Sequence, residues 1–151
     1  MLGPHSRAGS FFDQPAVQTA ITIYIAVVGV VYSLVLRQLW APTGLQKLAD
    51  VVLHDLIPLL YIAFWIFYVR KNSLRWLHAI WWLGYPLVYL IYTLIRGSVT
   101  GTYPYPFLDA CAIGYHRMLA NAAALMVVFL GVGLAIIAIS RRRGLPAKTS
   151  S

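Results

Sequence analysis

Glutamate is absent from this chain of 151 residues, cysteine occurs once, and only 11% of the residues carry charge. The lone Cys111 excludes an internal disulfide. Without glutamate, every acidic role falls to Asp13, Asp50, Asp55 and Asp109. The scarcity of charge has the widest consequence. Soluble domains carry roughly 25% charged residues, and a chain this short cannot hide a 60% apolar composition from water. A soluble fold is thereby excluded, and the bilayer is the natural solvent.

Long apolar runs are what the chain has instead. A helix needs roughly 20 apolar residues to cross the hydrocarbon, and stretches at about 17–39, 51–69, 76–95 and 118–139 qualify. No barrel-type alternation appears, so helices must satisfy the backbone in lipid. The expected fold is all-α: a polytopic membrane protein with a four-helix transmembrane bundle. Its organisation is a flexible lead-in at 1–16, the bundle at 17–140 and a basic cytoplasmic tail at 141–151. The first run is too long for a cleaved signal peptide and reads as a retained span.

The net charge of +8 does not point to nucleic acid, because of where it lies. With four spans, Arg7, Arg70, Lys71, Arg75, Arg141, Arg142, Arg143 and Lys148 fall on one side, against Arg37, Lys47, Arg96 and Arg117 on the other. Basic residues stay cytoplasmic, so both termini are expected in the cytoplasm of a cell-membrane protein. The RRR run after Ser140 suits anionic headgroups.

This orientation gathers Arg37, Asp50, His54, Asp55, Arg96, Asp109, His116 and Arg117 at the outer ends of the spans. An ionisable group inside a span is costly and usually faces a bundle interior or wet cavity. His54 and Asp55, in VVLHDLIPLLY, are the sharpest case. Histidine exchanges a proton near neutral pH, so His54 is a candidate general base or acid, with Asp55 or Asp109 to orient it. The competing account is an interfacial His–Asp pair that ties loops together. Pro58 frees the backbone carbonyl of His54 and bends the helix there.

The stretch RGSVTGTYPYPFLD, 96–109, interleaves aromatic rings with two prolines. It reads as a rigid cap over His54, with Tyr103, Tyr105 or Asp109 reaching the histidine or Asp55. Arg96 and Asp109 would pair across it, and Arg96 would meet a substrate carboxylate. An aromatic interface belt explains much of the same pattern. His116 fits site lining and headgroup contact equally. His78, among Trp76, Trp81 and Trp82, is better explained as an anchor, and His5 as incidental. No HxxxH or HxxE spacing supports a metal, and no cofactor is expected. Gly131 and Gly133, with Ala120, Ala122, Ala123 and Ala124, form a small-residue packing face on the last span.

Several of these segments together carry a resemblance. VVGVVYSLVLRQLW (27–40), WAPTG (40–44), the histidine before proline at 54–58 and YPYPFLD (103–109) resemble the bacterial branch of the androgen-induced family of multi-span membrane hydrolases. The match runs from about 17 to 143. In animal relatives the implied activity is hydrolysis of fatty-acid esters of hydroxy fatty acids, with a threonine nucleophile and a histidine. The family histidine falls on His54. The family threonine lies in a helix ahead of those matched, so this chain is expected to lack it. Thr19 and Thr22 sit too far from His54 to replace it, which leaves Thr43, Thr100, Thr102 and Tyr103 as nearby hydroxyls.

The leading expectation is therefore a lipid ester hydrolase with His54 as base and apolar span walls around an acyl chain. Its partners would be membrane lipids and a fatty-acyl ester substrate, with no nucleic acid and with self-association left open. The rival is a non-catalytic lipid-binding or assembly protein. A third reading, a small transporter, would need oligomerisation to line a path.

Overall fold

The computed structural model describes residues 6–39, 41–71 and 73–143. His5, Trp40 of the WAPTG segment, Lys148 and the rest of the tail after 143 lie outside the described residues. Among the described residues there are helices and no strand. Four helices are long and apolar enough to cross a membrane: Pro15–Leu36, Leu45–Tyr68, Trp76–Thr100 and Tyr115–Arg141. The chain is a multi-pass membrane protein built on them, referred to below as the first to fourth spans.

The lead-in is more ordered than its composition suggests. Ser6 accepts a hydrogen bond from the Gly9 amide at 3.0 Å and caps a short helix, Arg7–Phe12. The first span then starts with Pro15, whose missing N–H and fixed φ suit a first helical turn. It ends in a wide π-type turn, Tyr32–Leu36, closed by the Arg37 amide donating to the Tyr32 carbonyl at 2.8 Å. The second span contains a matching π-type turn, Val52–Leu56. Pro58 follows it closely and has no N–H to offer the His54 carbonyl, so a regular α-helical ladder cannot form there. The two spans cross where Gly29 meets that irregularity: a Cβ on Gly29 would lie 3.1 Å from Pro58 Cγ and 3.2 Å from the His54 carbonyl oxygen. Farther along, Trp65 Nε1 donates to Thr19 Oγ1 at 2.9 Å in a buried contact.

The third span is broken at Trp82 and Leu83. Pro86 cannot donate to the Trp82 carbonyl, and the Tyr24 hydroxyl of the first span donates to it instead, at 2.8 Å. A buried carbonyl needs a partner, so one proline dictates a contact between two spans. The third span runs one turn beyond the expected exit at Arg96 and stops at Gly101, whose φ of 68° is left-handed. What remains of the elbow is correspondingly shorter.

The main core lies between the first, third and fourth spans, with Ile23, Ala79, Trp82, Phe129 and Ile137 among its buried members. Gly133 belongs to it, since its Cα faces Trp82 and Ala79, whereas Gly131 has nothing close. A second cluster, Leu108, Ala110, Met118 and Ala122, sits under the elbow. The second span packs chiefly on the first and leaves Leu59, Leu60 and Phe67 bare. Apolar side chains spread over a helix in this way are what lipid covers.

Candidate functional site

Asp50 and His54 lie one turn apart on the second span, so their side chains share a face. His54 Nδ1 is 3.1 Å from the Asp50 carboxylate oxygen Oδ1 and 3.1 Å from the Asp50 carbonyl. Both partners accept, so Nδ1 carries the proton and the neutral ring keeps its lone pair on Nε2. Tyr32 lies on the other side. Its ring stacks on His54 with centroids 3.6 Å apart and planes 9° apart, and its hydroxyl donates to the same Asp50 oxygen. One carboxylate therefore holds two aromatic residues, one from each of two spans.

Asp55 does not orient His54. Adjacent helical residues point about 100° apart, and Asp55 turns instead to Arg37, whose Nη2 is 2.6 Å from its Oδ1. The Arg37 guanidinium also lies 5.5 Å from the Tyr32 ring centroid. Its hydrogen bond to Asp55 strengthens its hold on the proton above the ordinary arginine value. Sequence reasoning placed Asp50 in the outer polar group without assigning it to His54, and it missed Tyr32. The i, i+4 spacing of Asp50 to His54 was open to it; the stacking of Tyr32 was not.

His54 and Tyr32 open on a cavity of about 310 Å³, within the size range of small-ligand sites. Val27, Val28 and Val31 of the first span form one wall, and Leu125, Met126 and Phe129 of the fourth form another. Pro86, Tyr89 and Leu90 of the third span line a further side, with Tyr105, Phe107 and Leu108 of the elbow. Tyr24 and Tyr85, whose rings stack 4.9 Å apart, line it at the end away from His54. No serine, threonine or cysteine lines it among the described residues.

Tyr105, Phe107 and Leu108 of the elbow line this cavity together with His54, whose hydrogen bonds among the described residues go to Asp50 rather than to the elbow. Tyr105 lines the cavity with His54, while its hydroxyl pairs with that of Tyr89 at 3.3 Å. Burial, and then that hydrogen bond, pushes its ionisation above the ordinary tyrosine range. Tyr103 packs against Gly97, where a Cβ would come within 2.2 Å of its ring; burial raises its ionisation as well. Asp109 caps a short helix, Ala110–Ile113, accepting from the Cys111 and Ala112 amides at 2.9 and 3.1 Å. It has no ion pair with Arg96; the ion pairs among the described residues are Arg37–Asp55 and His54–Asp50. Arg96 and His116 are exposed and outside the cavity lining. Asn121 Nδ2 donates to the Phe107 carbonyl at 2.9 Å and ties the elbow to the fourth span.

The threonines also resolve. Thr19 and Thr22 are buried and donate to the carbonyls of Pro15 and Gln18, so neither is available as a nucleophile. Thr43, Thr100 and Thr102 do not line the cavity. His78 Nδ1 accepts from the Arg75 amide at 3.1 Å and starts the third span, far along the chain from the site. No three His, Cys, Asp or Glu residues gather as metal ligands among the described residues. Comparison with family models, with curated proteins and with solved structures finds no match to this chain.

Proposed function

We propose that this protein binds a fatty-acyl ester within the membrane and hydrolyses it with His54 as general base. One observation carries the reading: an aspartate-held histidine opens directly on an apolar cavity. In this reaction a water gives its proton to His54 Nε2 and its oxygen attacks the ester carbonyl carbon. The tetrahedral intermediate collapses, the carbon–oxygen bond to the alcohol breaks, and the imidazolium returns the proton to the leaving oxygen. Asp50 favours the imidazolium while it lasts, as a carboxylate does behind a catalytic histidine. The apolar walls take the acyl chain. The resemblance to the androgen-induced hydrolases supports the same histidine, with water standing where that family uses a threonine.

A second reading, acyl-lipid binding without turnover, is favoured by the lack of any serine, threonine or cysteine in the lining. The two separate in one assay. Protein reconstituted in lipid nanodiscs is given fatty-acyl esters, and both bound and hydrolysed ester are measured. Hydrolysis lost in His54→Gln with binding kept supports the enzyme; saturable binding with no hydrolysis in the wild type overturns it in favour of the second reading. A fluorophosphonate probe should leave the active protein unlabelled, since water is the nucleophile.

The charge distribution supports an orientation with both termini cytoplasmic in a cell membrane and the His54 end of the bundle outside.

A further inference from the structure

We infer that the stacked pair Tyr24–Tyr85 is the floor of an acyl-chain site and sets the longest chain the cavity accepts. The inference rests on the reading that the cavity holds a single acyl chain with its neutral ester end at His54, and it adds what determines specificity. The cavity is graded in a way that fits one kind of occupant. At one end, His54 Nε2 and the Asp50-bound Tyr32 supply the polar contacts. Below them the first and fourth spans contribute only aliphatic, thioether and phenyl groups, down to the Tyr24–Tyr85 pair. Arg37 at the polar end is already neutralised by Asp55 at 2.6 Å, so the site suits an uncharged polar end rather than an anionic one. From Tyr24 to Tyr32 the first span rises about 12 Å at roughly 1.5 Å per residue. That is most of one leaflet's half of a hydrocarbon core roughly 30 Å thick.

The floor is built rather than incidental. Pro86 leaves the Trp82 carbonyl without its helical donor, the Tyr24 hydroxyl takes that carbonyl at 2.8 Å, and the Tyr24 ring is thereby held under Tyr85 with planes 28° apart. Phe129 meets Tyr24 edge-on at 6.1 Å and blocks the fourth-span side. The cavity is open sideways as well. Val28, Tyr85 and Tyr89 line it while remaining 50%, 61% and 38% exposed. An acyl chain dissolved in the bilayer can therefore enter between the first and third spans without leaving the hydrocarbon.

The test uses the full chain in nanodiscs and methyl esters of saturated fatty acids of increasing length as competitors of a fluorescent acyl probe. Compared at equal mole fraction in the lipid, wild-type displacement should strengthen with chain length as added methylenes gain packing contacts with the cavity wall, and then stop strengthening at one length. Tyr85→Ala should move that limit to longer chains; Val28→Phe, one turn above the floor, should move it to shorter ones. Val31→Trp, beside Tyr32 at the polar end of the cavity, should abolish displacement at every length. Saturable, Val31→Trp-sensitive binding whose limit is the same in Tyr85→Ala and Val28→Phe overturns the floor and leaves the cavity reading standing. Absence of saturable displacement at any length, or displacement indifferent to Val31→Trp, overturns the cavity reading and the floor with it. Val28→Phe alone decides the matter if Tyr85→Ala does not fold.

Discussion

Asp50 determines what His54 can do, because it fixes the tautomer and ties the ring to Tyr32. Asp50→Asn keeps the size but loses the charge that favours the imidazolium. Ester turnover should fall by roughly 10²–10⁴, the span reported for a histidine base and for loss of its aspartate, while acyl binding stays. Asp55→Asn, which breaks only the half-exposed pair with Arg37, should leave turnover within a few-fold. Equal losses in the two variants would remove Asp50 from its assigned role. Gly97 matters for a different reason: the Tyr103 ring occupies the place of a Cβ. Gly97→Ala should destabilise the protein by about 1–3 kcal/mol, as overpacking does, read as a lowered thermal midpoint in detergent. Tyr103→Ala in the same background should recover part of the loss.

Among the elements, the paired π-type turns at Tyr32–Leu36 and Val52–Leu56 decide the site. They face each other across the Gly29–Pro58 crossing, and the crossing holds Tyr32 against His54. Gly29→Leu should wedge the spans apart, cost about 1–3 kcal/mol by overpacking and lower hydrolysis more than a remote exposed change such as Leu60→Ala. The elbow carries a pH prediction. The neutral Tyr105 is favoured in the fold, so its contribution is fully present below the ordinary tyrosine value of about 10. It is lost as pH rises from there through the raised value of the folded state. The tyrosinate absorbance of wild type minus Tyr105→Phe should therefore titrate above the ordinary range; titration at or below it would mean the elbow does not bury this ring.

For the molecule as a whole, the proposed orientation puts Ser73 and Cys111 on opposite sides of the membrane. Cys111 is a free, exposed thiol and serves as its own reporter. In intact cells an impermeant maleimide should label Cys111, and should not label Ser73→Cys in a Cys111→Ser background until the membrane is opened. Labelling of both from outside would reject the four-span topology, and the reverse pattern would invert the orientation. The low burial of the second span, 11% of its apolar window, agrees with a bundle whose outer surface is finished by lipid rather than by protein.

Membrane class, helix number and the approximate extent of each span were legible in the sequence because hydropathy and helical length are local properties. The irregularity at His54 was legible for the same reason, since Pro58 alone removes the donor for that carbonyl. The partners of the site were not. Tyr32 meets Asp50 across 18 positions and Tyr24 meets Trp82 across 58, contacts that depend on which helix faces pack together and that no local pattern specifies. The same holds for the elbow. Its prolines and rings announced a rigid cap, yet only the fold decided that Tyr103 would lie on Gly97, that Asp109 would spend its carboxylate on a helix cap, and that Tyr105 alone of the three would reach the cavity. The chain's composition determined the solvent and the kind of fold; the packing of the first span against the other three determined where a polar group could be afforded inside it.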